Sequence, residues 1–493
     1  MRALLAVAAL AAGLWGSPAA AFTPQLSDVD AVPLVLVRAP LAKEIELAAS
    51  KSRPFQYAVT APLSATLRDG LWDSIDNHTA RWRLRIGSPG AQSLGFEVSR
   101  FEIPDGAALW VYDREGALVQ GPYTRTDVTP EGKLWTPIVL GDQAVLELDV
   151  PAASRDAAQL QLASVAHGFR GFGKDGEVEA KSGSCNIDAV CPQGDAWRNE
   201  IRSVARITID NRFLCSGQLL NNTSQDNDPL FITANHCGIG QNQCGAAGTS
   251  NCAPSSVVFY WNYYNSTCRS STGTADRSGN GSLSQNSRSS FLLAGDVGAD
   301  FTLLRLANAL PASFNAYFAG WNATSNIPQG GVTIHHPEGD EKSLAVYSSP
   351  AQRADSCIDG SVTSCRRNVH AWGVHWSAGT TEQGSSGGGL WDQNHLLVGW
   401  LSGGEASCSN RGGEDFFGRM EVAWTAGSQT SQQLQPWLAK SGSAAKSVCG
   451  KSQGGGVCDN SSPPSESGGG GSFAWLTLLA LATMRAFRFR KSR

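Results

Sequence analysis

Between about Leu63 and Val150 the chain alternates short apolar runs with turn signals. Arg81-Trp82-Arg83-Leu84-Arg85-Ile86 and Val145-Leu146-Glu147-Leu148-Asp149-Val150 set an apolar side chain at every second position, the period of a strand with one buried face. Pro104-Asp105-Gly106 and Arg114-Glu115-Gly116 read as the turns between such strands. This pattern predicts a β-sandwich. Residues 151 to 181 are rich in Ala, Gly and charge and read as a linker. From Ser182 to about Ala445 further strand candidates follow, among them Ser203 to Ile209, Phe213 to Leu220, Ser256 to Trp261 and Leu396 to Leu401, separated by Asn, Gly and Ser. Long helical patterns are scarce until Ser431 to Leu438, a short C-terminal helix. The expected fold class is all-β, a sandwich-like domain followed by paired β-barrels.

Both ends carry a different pattern. Arg2, the apolar stretch Ala3 to Leu14 and Ala19-Ala20-Ala21 form a secretory signal over residues 1–21, with cleavage before Phe22. Its apolar stretch is too short to span a bilayer, which takes about 20 residues. At the other end a Ser/Pro/Gly-rich spacer, residues 446–471, closes with Gly468 to Gly471 and leads into a tail, residues 472–493. That tail has the apolar run Phe473 to Met484 and then Arg485, Arg488, Arg490, Lys491 and Arg493. About a dozen apolar residues span poorly. The layout resembles the Gly-Gly sorting signals of Gram-negative bacteria, which an intramembrane protease of the rhombosortase kind removes. The expected location is therefore secreted or at the cell surface of such a bacterium. Secretion and tail-processing machinery would be partners, and membrane contact only transient.

Composition narrows the class. Of 493 residues only 17% are charged, 54 are Gly and the formal net charge is -4, which suits a loop-rich exported β protein and gives no footing for a nucleic-acid partner. All twelve Cys lie between Cys185 and Cys458, so a cysteine-free first part precedes a disulfide-bearing second part. Close Cys and His ligand spacings are absent, and the adjacent pair His335-His336 would face opposite sides of a strand. No metal and no cofactor are expected, and the chain is expected to be a monomer.

Three short strings carry the chemistry. Thr233-Ala234-Asn235-His236-Cys237, Asp300-Phe301-Thr302-Leu303-Leu304 and Gly384-Ser385-Ser386-Gly387-Gly388 occur in that order. A serine hydroxyl is a poor nucleophile at neutral pH and needs an imidazole to take its proton and a carboxylate to hold that imidazole. His236, Asp300 and Ser386 are the catalytic candidates, and the backbone of Gly384 and Ser386 the oxyanion donors. A Gly/Ser run alone could be a linker, but the apolar run Leu396 to Trp400 follows closely and places this one inside a core. Cys215, 22 residues before Cys237, could bridge it and fix the loop that carries His236.

Residues 182 to about 445 resemble lysyl endopeptidase, a secreted bacterial family of the chymotrypsin clan. The resemblance rests on Ser182-Gly183-Ser184-Cys185-Asn186-Ile187-Asp188, Leu219-Leu220-Asn221-Asn222-Thr223, Tyr260-Trp261-Asn262-Tyr263, Asn265-Ser266-Thr267-Cys268-Arg269 and Ile334-His335-His336-Pro337. It implies a chymotrypsin-like double β-barrel, residues 182–445, behind a pro-region, residues 22–181. It also implies a serine endopeptidase acting on proteins or peptides through His236, Asp300 and Ser386. Three bridges follow from it, Cys185 with Cys408, Cys191 with Cys268 and Cys215 with Cys237. The remaining six cysteines pair by proximity, Cys244 with Cys252, Cys357 with Cys365 and Cys449 with Cys458.

For specificity the resemblance puts a carboxylate for a basic P1 side chain at Asp415; the bland reading is a cap on an exposed turn after Gly412-Gly413. Trypsin's pocket position, six before the nucleophile, is Thr380 here. Ser402 stands where the family has a histidine, before Gly403-Gly404 of the substrate-binding strand, and the tryptophan that stacks on that histidine falls in the divergent loop near Cys357 to Cys365. Lysine is the expected P1 residue, with arginine accepted. Ser385 replaces the aspartate that receives a new N-terminus in trypsin-like zymogens, so a Cys185–Cys408 tether would hold the N-terminal segment instead. Lys181-Ser182 is the expected self-processing bond. The competing expectation from another class is a catalytically silent surface adhesin on a protease fold.

Overall fold

The computed structural model describes residues 22–51, 54–172, 182–240, 252–269, 279–359, 367–456 and 458. The signal segment, the sorting tail and the Lys181 bond lie outside them. Among the described residues the chain is mostly strand, arranged as an N-terminal two-sheet β unit followed by a second unit with two large sheets.

The N-terminal unit is built on the alternation seen in the sequence. Thr79–Gly87 and Gln143–Pro151 pair antiparallel along their whole length, and Gln143–Pro151 pairs on its other edge with Ala108–Asp113. A second sheet runs Val139–Leu140, Ser93–Glu102, Gln159–Gly168 and Ala58–Thr66. The facing sides meet in one apolar core that includes Trp82, Leu84, Phe96, Val111, Leu146 and Leu162, all buried. Burial of such faces is the main driving force for a two-layer β unit.

Two departures from expectation concern segment boundaries. Residues 151–181 were expected as a linker, yet Gln159–Gly168 is an interior strand of the second sheet, paired on both sides. Leu160 and Leu162 point inward while Gln159 and Gln161 are exposed, a period of two confined to the first four residues, before the register shifts near Leu162. The surrounding Ala, Ser and Gly dilute the apolar signal because their own contribution to burial is small. The spacer was expected to begin at residue 446, but Ser447–Val448 pairs with Trp321–Asn322 and Lys451–Ser452 with Tyr317–Phe318. The Cys449–Cys458 bridge closes that segment.

In the second unit one sheet orders Asn286–Arg288, Val258–Trp261, Val204–Ile209, Phe213–Leu220, Leu230–Ala234, Phe301–Leu306 and Ser290–Asp296. The other runs through Ser343–Tyr347, Gly331–His335, Gly389–Asp392, Leu397–Gly404, Asp415–Arg419, Arg367–Val374 and Gln352–Asp359. The expected C-terminal helix is shorter than its pattern, a 3-10 turn Thr430–Gln432 and one α turn Gln435–Leu438, because Pro436 is tolerated only in a first turn. A ten-residue helix, Ala42–Lys51, has no counterpart in the sequence reading.

Truncation separates strand from linker at residues 159–168. Leu162→Ala should lower unfolding stability by about 2 to 5 kcal/mol, whereas the exposed Gln161→Ala should stay within about 0.5 kcal/mol. Urea unfolding of the two full-length variants checks this, and equal small effects would restore the linker reading.

Candidate active site

His236 and Asp300 come from neighbouring strands of one sheet. Leu230–Ala234 pairs with Phe301–Leu306, Ala234 opposite Phe301, so the residues just beyond each strand end emerge side by side. Asn235–Cys237 forms a 3-10 turn closed by Gly238 at φ 85, and Cys237 is bridged to Cys215. Asp300 sits at φ 49, a left-handed conformation uncommon outside Gly but accessible to Asp. Its carbonyl accepts from Asn235 N–H at 3.0 Å. Its carboxylate accepts twice from His236, Oδ1 from the backbone N–H at 3.0 Å and Oδ2 from Nδ1 at 2.9 Å. With Nδ1–H donated to a fully buried carboxylate, Nε2 is left as the acceptor. It lies 2.7 Å from Ser386 Oγ.

Ser386 arrives from the other sheet. Its carbonyl accepts from Ser216 N–H at 2.8 Å, and Ser216 Oγ donates to Gly384 C=O at 3.0 Å. Gly384 and Gly387 hold φ of 85 and 81; a Cβ at Gly387 would stand 2.2 Å from Thr233 Oγ1. Glycine is required there by both conformation and space. The N–H groups of Ser385 and Gly387 are spent on Glu382 and Leu401 carbonyls. Those of Gly384 and Ser386 meet no acceptor among the described residues, which leaves two donors beside Ser386 Oγ. Ser385 turns inward, its hydroxyl 2.7 Å from His335 Nδ1. The N-terminal segment is tethered as expected, through Cys185–Cys408 and through Gly183 N–H and Asn186 Nδ2, which both donate to Glu382 Oε2.

Asp415 is 1% exposed, so the turn-cap reading does not hold. It starts a strand opposite Gly404, where a Cβ on Gly404 would lie 2.1 Å from Asp415 Oδ1. Oδ2 accepts from Thr381 Oγ1 and Trp376 Nε1, each at 2.7 Å, and Oδ1 from Ala406 N–H at 3.2 Å. Burial outweighs these donors and pushes the carboxyl up to about 6. Trp376 and Thr381 were not singled out from sequence. Thr381 is the neighbour of Thr380, the trypsin pocket position, whose own hydroxyl goes to a backbone carbonyl instead. Ser402 is buried with its Oγ unpartnered, and Gly403 adopts φ 150. Four bridges are described, Cys185–Cys408, Cys191–Cys268, Cys215–Cys237 and Cys449–Cys458. The expected pairings of Cys252 with Cys244 and Cys357 with Cys365 reach outside the described residues.

Residues 179–418 match the family described as lysyl endopeptidase, C-terminal domain, and residues 46–169 the lysyl endopeptidase N-terminal domain. A lysyl endopeptidase of Pseudomonas aeruginosa is 28% identical over 408 residues, covering 75% of this chain and 79% of the relative. Among solved structures, the active form of the Rv3671c protease from M. tuberculosis aligns at 16% identity and TM-score 0.30, covering 51% of this chain and 90% of that one. The MamO protease domain from Magnetospirillum magneticum aligns at 12% identity and TM-score 0.29, with coverage of 46% and 96%. The two family models and the relative support the lysyl endopeptidase family, and with it a serine endopeptidase.

The raised Asp415 has a signed consequence for stability. Its folded-state value of about 6 lies above the ordinary 3.8, so the unfolded state releases that proton first and stability falls as pH rises from about 4 to 6. The loss is on the order of 3 kcal/mol, at about 1.4 kcal/mol for each tenfold change in proton affinity. Urea unfolding from pH 4 to 7 should show this decline in the wild type and a flatter profile in Asp415→Asn. Parallel profiles would refute it.

Proposed function

We propose that the chain is an exported serine endopeptidase that hydrolyses peptide bonds after basic residues, lysine preferred and arginine accepted, and that it is made as a pre-pro-enzyme. The observation that carries this reading is the continuous path from Asp300 Oδ2 through His236 to Ser386 Oγ, with links of 2.9 and 2.7 Å. In this reading Ser386 Oγ attacks the scissile carbonyl while His236 Nε2 takes its proton. Asp300 keeps the imidazole in the tautomer whose Nε2 is free to accept and stabilises the cation that forms. The backbone N–H groups of Gly384 and Ser386 donate to the oxyanion. His236 then returns the proton to the leaving amine, an acyl-enzyme remains on Ser386, and water attacks it by the same route in reverse.

Asp415 supplies the specificity. Its buried carboxylate is costly to ionise alone, and a substrate ammonium offers the counter-charge that offsets that cost. The same burial penalises a neutral or acidic P1 side chain. Residues 22–181 act as the pro-region, with self-cleavage at Lys181-Ser182 leaving the Cys185–Cys408 bridge to hold the new N-terminal segment. The bridges fit an oxidising compartment.

A fluorophosphonate should label the wild type at Ser386 and leave Ser386→Ala untouched. Ser386→Ala should also accumulate with the pro-region attached in a host without lysine-cutting proteases, and Asp300→Asn should lower kcat by roughly 10⁴-fold. An unlabelled mature protein would favour the silent adhesin. On a mixed peptide pool the wild type should cut after Lys, with some cleavage after Arg, and Asp415→Asn should lose both; cleavage after other residues would overturn the pocket assignment.

A further inference from the structure

One edge of strand Phe213–Leu220 is shared by three partners. Val204–Ile209 covers the opposite edge from Phe213 to Gln218, with Ile209 facing Phe213 and Val204 facing Gln218. On the remaining edge Gln218–Leu220 pairs with Leu230–Ala234, the strand that leads to His236. Next along that edge, Ser216 N–H donates to the carbonyl of Ser386 itself. Beyond the nucleophile, Phe213 and Leu214 pair antiparallel with Gln56 and Phe55 from the N-terminal unit, and Tyr57 N–H donates to Arg212 C=O at 2.8 Å. Leu214 also packs on the oxyanion loop, with Cδ2 3.3 Å from the position of a Cβ on Gly384.

A polypeptide bound for cleavage has its direction set by the site. Its basic side chain enters toward Asp415 and the residues before it run along Ser402-Gly403-Gly404. The residues after the scissile bond must therefore leave Ser386 on the opposite side, across Leu214 and the Cys215–Cys237 bridge. The strand edge they meet there is the one Phe55–Gln56 fills, and an exposed edge recognises any extended chain through its backbone.

We propose that strand Phe55–Gln56 occupies the edge to which the leaving-group half of a substrate pairs, making the attached N-terminal unit a built-in competitor for that half of the cleft. The inference rests on the protease reading above. The strand is held from behind. Arg170 Nε donates to Gln56 C=O at 2.8 Å, and its guanidinium lies 3.9 Å over the Phe55 ring. Fully buried Arg206 of the second unit donates to the Gly171 and Gly339 carbonyls and lies between the rings of Phe172 and Tyr263, at 3.8 and 4.1 Å. Further docking contacts join Ile138 N–H to the Tyr260 hydroxyl, Asn286 Nδ2 to Gln120 Oε1 and Arg288 to Asp127, whereas the donors to Asp415 are Trp376, Thr381 and Ala406.

The test uses the full chain kept uncut by Lys181→Gln beside the cleaved wild type. Three probes are applied: a fluorophosphonate, a lysine ester with nothing beyond the scissile bond, and a peptide with the same lysine followed by four residues. A tethered strand competes at an effective concentration on the order of millimolar, so the uncut chain should react with the first two as the cleaved enzyme does. It should cut the extended peptide at least about 30-fold more slowly. Phe55→Asp in the uncut chain should restore extended-peptide cleavage without changing ester hydrolysis, and Arg170→Ala should act in the same direction if Phe55→Asp fails to fold. Equal relative rates on ester and peptide would overturn the proposal, as would an uncut chain inert to all three probes while the cleaved form is active. Failure of both forms to label would instead overturn the protease reading and this inference with it.

Discussion

The edge of strand Phe213–Leu220 is the constraint on which the rest of the site depends. Along it the chain seats the strand that delivers His236, the carbonyl of Ser386 and a strand of the N-terminal unit, in that order. Backbone hydrogen bonds on one extended strand repeat at fixed spacing, so the strand acts as a ruler. Ser386 and His236 come from different sheets, and their 2.7 Å approach follows from both being registered against it. The Cys215–Cys237 bridge ties the turn carrying His236 back to the same strand.

Two buried aspartates show burial balanced in two different ways. Asp300 has both carboxylate oxygens engaged by His236, and its left-handed backbone is held by Asn235 on one side and Val297 on the other. Strain of this kind persists where surroundings over-determine it. Asp415 receives donors from Thr381, Trp376 and Ala406 yet remains protonated to higher pH than an exposed carboxylate. An incompletely compensated buried acid is costly alone and receptive to a cation, and the proposed basic specificity rests on that property.

Much of this was legible in residue patterns. Alternation in Arg81–Ile86 and Val145–Val150 identified paired strands, and His236, Asp300 and Ser386 stood out because their neighbours supply what each role demands. The errors were local. Gln159–Gly168 was hidden because its alternation lasts only from Gln159 to Leu162 before Ala163, Ser164, Ala166 and Gly168 dilute it, and Ser447–Ser452 because a two-residue strand has no period to read. Trp376 and Thr381 carried no signal, since a donor to a buried carboxylate is defined by where it points.

Local residue patterns were enough for the all-β class and for naming His236, Asp300 and Ser386 as candidates, because period, turn residues and side-chain chemistry are local properties. Only the tertiary structure decided which groups meet: Ser385 with His335, Thr381 and Trp376 with Asp415, and Phe55–Gln56 with the edge beside Ser386. Those contacts join residues from 34 to more than 150 positions apart. They arise from strand register and from the exclusion of water between sheets, neither of which is encoded in any short stretch of chain.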